Sequence, residues 1–151
     1  MDALELLKQD HQKVKELFEQ AEDCEAGTEQ RRIFSQIKTE LETHARIEEA
    51  VFYPAMEKHE QLKGMVREAL KEHQKVKSLL KEMEKLADDR EKFHSKLSVL
   101  IENVEHHAEE EEEGKMFPKV RKIVERATLD KLGQELEVAK DKAKGKKRKA
   151  A

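Results

Sequence analysis

The feature that most constrains this chain is an internal repeat that keeps histidines in phase with apolar stripes. Asp10-His11-Gln12-Lys13-Val14-Lys15 returns 62 residues later as Glu72-His73-Gln74-Lys75-Val76-Lys77. His44-Ala45-Arg46-Ile47-Glu48, followed by Phe52-Tyr53-Pro54, returns more loosely as His107-Ala108-Glu109-Glu110-Glu111-Glu112, followed by Met116-Phe117-Pro118. This second pair of histidines is separated by 63 residues. A duplicated pattern of His, then His with Glu four residues on, points to a metal site assembled from four helices.

The apolar residues support that reading, because they recur at helical spacing around each histidine. Residues 2–23 form one predicted helix, with Leu4, Leu7, Val14, Leu17, Phe18 and Ala21 on a stripe that includes His11. Gly27 and Thr28 turn the chain. A second helix starts near Glu29 and carries Ile33, Phe34, Ile37, Leu41, Ile47 and Val51. His44 and Glu48 are four residues apart, so they share its inner face. Pro54 is expected to break or kink this helix, since it lacks a donor and crowds the preceding turn. A third helix spans residues 62–86, with His73 between Leu70 and Val76. Asp89 is a candidate cap for a fourth, which runs from residue 90 to beyond 112. There Phe93, Leu97, Leu100 and Val104 lead to His107, while His106 falls out of phase. Gly114 and Pro118 disturb its far end.

The expected fold is therefore all-α: an up-down-up-down four-helix bundle over residues 1–127. Thr128 caps a short predicted helix over 128–140, with Leu129, Leu132, Leu136 and Ala139 on one side. Residues 141–151 are Lys-rich, lack an apolar stripe and are expected to be disordered.

Composition agrees. Charged residues make up 43% and aromatics 4%, with two prolines, so strand formers and breakers are both scarce. A net charge of −3 supplies no overall pull towards nucleic acid or acidic membranes. Neither a membrane nor a nucleic acid is expected as a partner, and no protein partner is identified. Cys24 stands alone, which excludes an internal disulfide and suits a reducing compartment. The first residues lack a basic stretch followed by an apolar one, so they do not read as a signal peptide. A cytoplasmic protein is expected.

One histidine on an apolar face is usually a hydrogen-bonded core residue. Four of them, one on each long helix, call for a common explanation. Two of those helices also bring in a carboxylate, and an unpaired buried carboxylate loses several kcal/mol of solvation. Divalent cations remove that cost. Imidazole with carboxylate and no thiolate suits iron, manganese or zinc. Four imidazoles and two carboxylates exceed what one structural zinc takes, and fit two ions bridged by carboxylate. Iron ranks ahead of manganese and zinc, since an apolar pocket shields a bound oxygen species from water.

With these motifs in place, the chain resembles the hemerythrin-like proteins of the HHE cation-binding family over about residues 4–125. The resemblance implies a four-helix bundle around two non-haem iron ions, bridged by oxo or hydroxo. It implies chemistry with oxygen, peroxide or nitric oxide, or iron handling, by a binding or sensing protein or by a peroxidase-like enzyme. It carries His11, His44, Glu48, His73 and His107 over as ligands, with Glu48 bridging. In the oxygen-carrying members the third helix adds a second His four residues after the first, where this chain has Lys77; water, Glu or Tyr is left to fill that position. The last carboxylate has two candidates. Helix geometry favours Glu111, four residues after His107. The register with Pro118 favours Glu112, six residues before it as Glu48 is before Pro54, brought inward by a single-turn π-bulge. Both Glu111 and Glu112 are carried as candidates.

The remaining polar features read as background. His59, His94 and His106 are taken as surface residues or as residues behind the site, and Tyr53 chiefly as packing. Glu109 to Glu113, apart from one ligand, reads as a solvated face. Met56, Met83 and Met116 read as core fillers. A metal-free helical bundle whose basic tail docks on a partner is the rival to all of this.

Overall fold

The computed structural model describes residues 1–25 and 27–150, with side chains placed as far as residue 145. Every regular element among these residues is helical. Helix α1 covers Ala3–Asp23, and the Asp2 carboxylate caps it by accepting from the Glu5 N–H at 2.9 Å. Gly27, at φ 87°, makes the turn into α2 (Thr28–Ile47). A π-helical turn, Glu48–Phe52, joins α2 to the short α3 (Tyr53–Met56). After a 3₁₀ turn at Glu60–Leu62 comes α4 (Lys63–Lys85). Asp89 then caps α5 (Arg90–Glu105), accepting from the Lys92 N–H at 3.1 Å. A longer π-helical stretch, His106–Met116, leads into α6 (Phe117–Ile123). The chain ends in α7, Arg126–Ala150.

The prolines act otherwise than expected. Pro54 and Pro118 do not stop their helices; each lies in the first turn of the next α-helical segment, just after a π turn. Proline has no N–H to give to the carbonyl four residues back, and the widened turn spares the chain that bond. The last π-type bonds run from the Tyr53 N–H to the Glu48 carbonyl and from the Phe117 N–H to the Glu112 carbonyl. The bonds that close the two π turns thus tie the buried Tyr53 and Phe117 to the backbone of Glu48 and Glu112 themselves. The extra residue between His107 and Pro118 is absorbed by the second π stretch, 11 residues against 5 in the first.

Two apolar clusters fill the interior. One gathers Leu4, Leu7, Ile47, Phe52, Leu62, Val66 and Phe117 with α7's Leu129, Leu132 and Leu136. The other gathers Val14, Phe18, Phe34, Ile37, Leu80, Phe93 and Leu100. His11, His44, His73 and His107 occur in the sequence between the segments that feed these two clusters.

The end of the chain departs from expectation. In place of a helix over 128–140 and a disordered 141–151, α7 starts at Arg126, encloses Thr128 and continues to Ala150; Ala151 lies outside the described residues. Two things carry the helix onward. Ala143 is buried, extending the stripe of Leu129, Leu132, Leu136 and Ala139. Lys140 bonds to Asp10 of α1, and Lys144 lies 3.8 Å from Glu40 of α2, so cations that repel one another in the sequence are paired in space. Gly133 makes the close approach possible: a Cβ there would stand 2.4 Å from the Met1 carbonyl oxygen.

Candidate metal centre

Helical spacing brings His11 from α1, His44 from α2, His73 from α4 and His107 from the second π stretch to one buried place. His44, His73 and His107 are buried, and Glu48 and Glu112 are fully so. Their donor atoms form two overlapping sets. His11, His44, Glu48 and Glu112 make the first, and Glu48, His73 and His107 the second; within each set all donors lie within 4.8 Å of one another. Glu48 belongs to both. Its Oε1 is 3.2 Å from His44 Nε2, 3.1 Å from His73 Nε2 and 3.8 Å from His107 Nε2. Glu112 Oε1 is 3.1 Å from His11 Nε2 and 3.6 Å from His107 Nε2.

Of the two candidates in the acidic run, Glu112 enters the cluster and Glu111 does not. Glu111 pairs with Lys115 at 3.1 Å and lies 3.7 Å from the exposed His106. The reason is the π stretch, which advances the chain by less than an α-turn would and turns residue 112, five after His107, inward.

All four imidazoles present Nε2 inward, because Nδ1 is engaged behind each. His44 Nδ1–H donates to Asp10 at 2.9 Å, His73 to Glu49 at 2.8 Å, His107 to Glu72 at 2.7 Å and His11 to Glu113 at 2.7 Å. A carboxylate is an acceptor only, so Nδ1 carries a proton in each ring and Nε2 is the nitrogen left to face a cation. The carboxylates follow a cyclic rule. The residue beside each ligand holds the histidine of the next helix: Asp10 on α1 holds that of α2, Glu49 that of α4, Glu72 that of the fourth rod, and Glu113 that of α1. The sequence reading missed these four. Their signal was present, since the repeat keeps an acid directly before His11 and His73 and directly after Glu48 and Glu112.

Tyr53 is more than packing. Its hydroxyl donates to Glu112 Oε2 at 2.6 Å and lies 3.3 Å from both His73 Nε2 and His107 Nε2. It therefore stands beside the second donor set. Lys77, which occupies the position of the extra histidine, turns to Glu49 at 3.2 Å.

The electrostatics favour a bound cation. Burial pushes the Glu48 carboxyl up, but His44 and the surrounding hydrogen bonds outweigh it and hold it well below its ordinary value. Burial works against a charged His44 too, yet Glu48 and Asp10 push it up to about 10. His107 is likewise raised, by Glu112, Glu48 and Glu72 against its burial. Burial and the charges of Glu112 and Glu48 push the Tyr53 phenol well up. His44 Nε2 and Glu48 Oε2 are buried with no hydrogen-bond partner, at the centre of the first set. Unpartnered lone pairs that converge from imidazole and carboxylate fit a cation.

A helical protein with two His/Glu donor sets sharing a carboxylate is, by fold and site, a cation-binding bundle. The hemerythrin HHE cation-binding domain model matches residues 2–120, and the chain belongs to that family. An uncharacterised hemerythrin-like protein of Schizosaccharomyces pombe is 33% identical over 71% of this chain and 50% of its own length. A DNA nickase of Nostoc sp. (strain PCC 7120) is 25% identical over 94% of this chain and 40% of its own length. The chain thus spans half or less of these curated relatives. The crystal structure of a hemerythrin HHE cation-binding domain-containing protein from Mycobacterium kansasii superposes with a TM-score of 0.85, covering 97% of this chain and 89% of that one at 24% identity; this likeness concerns the fold. Among the described residues no helix is long and apolar enough to cross a membrane.

Proposed function

We propose that the protein holds two non-haem iron ions between its first four helical rods, arranged up-down-up-down, and uses them to bind or sense oxygen, peroxide or nitric oxide in the cytoplasm. The observation that carries this reading is the sharing of Glu48 between two donor sets. A structural zinc site needs one closed set of four donors; two sets joined by a carboxylate suit a pair of ions. His11, His44, Glu48 and Glu112 would hold one ion. Glu48, His73 and His107 would hold the other, with the Tyr53 hydroxyl beside them. When bound, a pair of ferrous ions supplies two electrons and an exchangeable position for a small ligand.

The surroundings favour a small, weakly polar ligand. A cavity of about 40 Å³ adjoins the four imidazoles, walled by Val14, Leu41, Val76, Leu80 and Val104. That volume admits a molecule of the size of water or a diatomic gas, and Asp10, Glu42 and Lys77 line it beside the apolar residues. The chain's own residues keep bulk water out and fix each imidazole through its Nδ1–H. The Tyr53 hydroxyl, at the edge of the second set, donates its own proton in a hydrogen bond to Glu112. This arrangement serves reversible binding and sensing; a peroxidase-like turnover at the same centre is the alternative.

The test is anaerobic loading with ferrous iron. Two ions per chain are expected, with an optical change on adding oxygen, peroxide or nitric oxide. Native protein containing only zinc, or a single ion per chain, would overturn the proposal. Steady-state consumption of peroxide with the protein intact would move the assignment from binding to enzyme. A second reading, contact with DNA, is favoured by the likeness to a protein named DNA nickase and by the Lys-rich end of the chain. It predicts salt-sensitive DNA binding that is lost when the lysines after residue 140 are neutralised.

A further inference from the structure

The two halves of the repeat back their histidines with the same carboxylates but steady those carboxylates differently. In the second half, Glu72 receives His107 on Oε1 and His106 on Oε2, the latter at 3.2 Å. The residue corresponding to His106 in the first half is Thr43, directly before His44 as His106 is before His107. Thr43 is buried, and its hydroxyl has no hydrogen-bond partner. Asp10, the counterpart of Glu72, is 4% exposed and would be left with one oxygen unengaged. Its partner comes from outside the repeat: Lys140 of α7 bonds to Asp10 Oδ1 while His44 Nδ1–H occupies Oδ2. The family domain matched over residues 2–120 does not include this helix.

We propose that Lys140 is a positioning residue for the metal centre, acting through Asp10 on His44, so that the Lys140–Asp10 contact sets the metal affinity of the His11/His44 half. The inference rests on the metal reading given above. Lys140 holds the Asp10 carboxylate in place through Oδ1, and Asp10 through Oδ2 fixes the His44 Nδ1–H and so aims its Nε2 at the cation. His106 stands at the matching place beside Glu72 but donates its Nδ1–H to Glu110, and it is far more exposed, 51% against 22% for the Lys140 side chain. α7 also packs on the π turn that carries the shared Glu48, but its Lys140 bonds to Asp10, which backs the first half alone.

The experiment uses the full chain and cobalt(II), titrated against a competing chelator and followed by absorbance. Lys140→Met should weaken one of the two ions about tenfold, the lower end of what loss of such an outer partner costs, and leave the other unchanged. Lys140→Gln should repeat this, and Lys140→Arg should restore both affinities. Lys144→Met loosens α7 at Glu40 without touching Asp10, and should leave both affinities alone even if the melting temperature falls. Unchanged binding in Lys140→Met, or equal weakening in Lys144→Met, would overturn the inference. A second readout needs no metal: in histidine-labelled protein, Lys140→Met should shift the hydrogen-bonded Nδ1–H resonance of His44 and spare that of His107. If wild-type protein takes up fewer than two ions while this shift persists, the metal reading fails and the role of Lys140 stands. If two ions bind and neither readout responds, the role of Lys140 fails alone.

Discussion

The His11/His44 half and the His73/His107 half of the centre begin from the same sequence pattern and end in different surroundings. The first set is completed by two carboxylates, Glu48 and Glu112; the second has Glu48 and, beside it, the Tyr53 hydroxyl. The first half lies under α7, which packs on α1 and α2. The second is backed by the exposed His106 and by Lys77 on Glu49. Duplication thus explains the number and aim of the imidazoles. Divergence around them makes two inequivalent donor sets, the second with fewer carboxylates.

The most severe way to break this comparison is to remove what the halves share. Glu48→Ala should take iron content from two ions per chain to almost none, because both donor sets lose a member. Glu112→Gln should fall more heavily on the first half, and Glu111→Gln on neither. Metal analysis of the three purified variants checks the ranking; retention of one full ion in Glu48→Ala would show that Glu48 is not shared. The second half is isolated by Tyr53→Phe. Ferric-loaded wild-type protein should show a phenolate charge-transfer absorption that this variant lacks, while its iron content stays within about tenfold of wild-type affinity. An identical spectrum in both would remove Tyr53 from the metal.

How far these differences could be read from the sequence depends on their range. The four inward histidines were legible because helical spacing is a local rule, and His11 and His73 sit in apolar stripes whose phase is unambiguous. Glu112 was legible only as one of two candidates, since the π stretch that decides between it and Glu111 arises from Pro118 and the extra residue acting together. Of the carboxylates behind the imidazoles, Asp10, Glu49 and Glu72 were given no role, and Glu113 was read with its run as a solvated face; only packing tells Glu113, on His11, from the exposed Glu110. Tyr53 was assigned to packing because its partners, His73, His107 and Glu112, come from two other parts of the chain. The length of α7 was missed for a similar reason. Its lysines oppose a helix on local grounds, and the acids that neutralise two of them, Asp10 and Glu40, are more than a hundred residues away in sequence.

α7 also offers a milder way to separate the halves. Gly133 lets it approach α1 closely, and an added Cβ would meet three backbone atoms, at 2.4 Å, 2.9 Å and 3.1 Å. Backbone cannot swing aside as a side chain can, so Gly133→Ala should destabilise the fold by about 1–3 kcal/mol, as overpacking does. Thermal unfolding checks this. Metal binding then sharpens the comparison, because pushing α7 off the start of α1 should draw Lys140 from Asp10 and weaken the first half more than the second.

The smallest effect is expected where the halves begin. Asp2 caps α1 and is 5% exposed, held also by Arg121 of α6 at 2.8 Å. Sixty-two residues on stands Gly64, and α4 opens without a side-chain cap. Burial pushes the Asp2 carboxyl up, but the bonds from Arg121 and the Glu5 N–H outweigh it and hold it below its ordinary 3.8. A carboxylate lowered on folding stabilises above its unfolded value, and that contribution fades as pH falls through the folded one. Asp2→Asn keeps the cap, which asparagine serves about as well, and removes only the charge. It should therefore cost no more than about 1 kcal/mol near neutral pH, since Arg121 is half exposed. The gap in melting temperature between wild type and variant should close as pH drops below about 4. A gap that stays constant from pH 7 to pH 3 would mean that the Asp2–Arg121 charge pair adds nothing to holding α1 against α6, and that shape alone distinguishes the start of the first half from the start of the second.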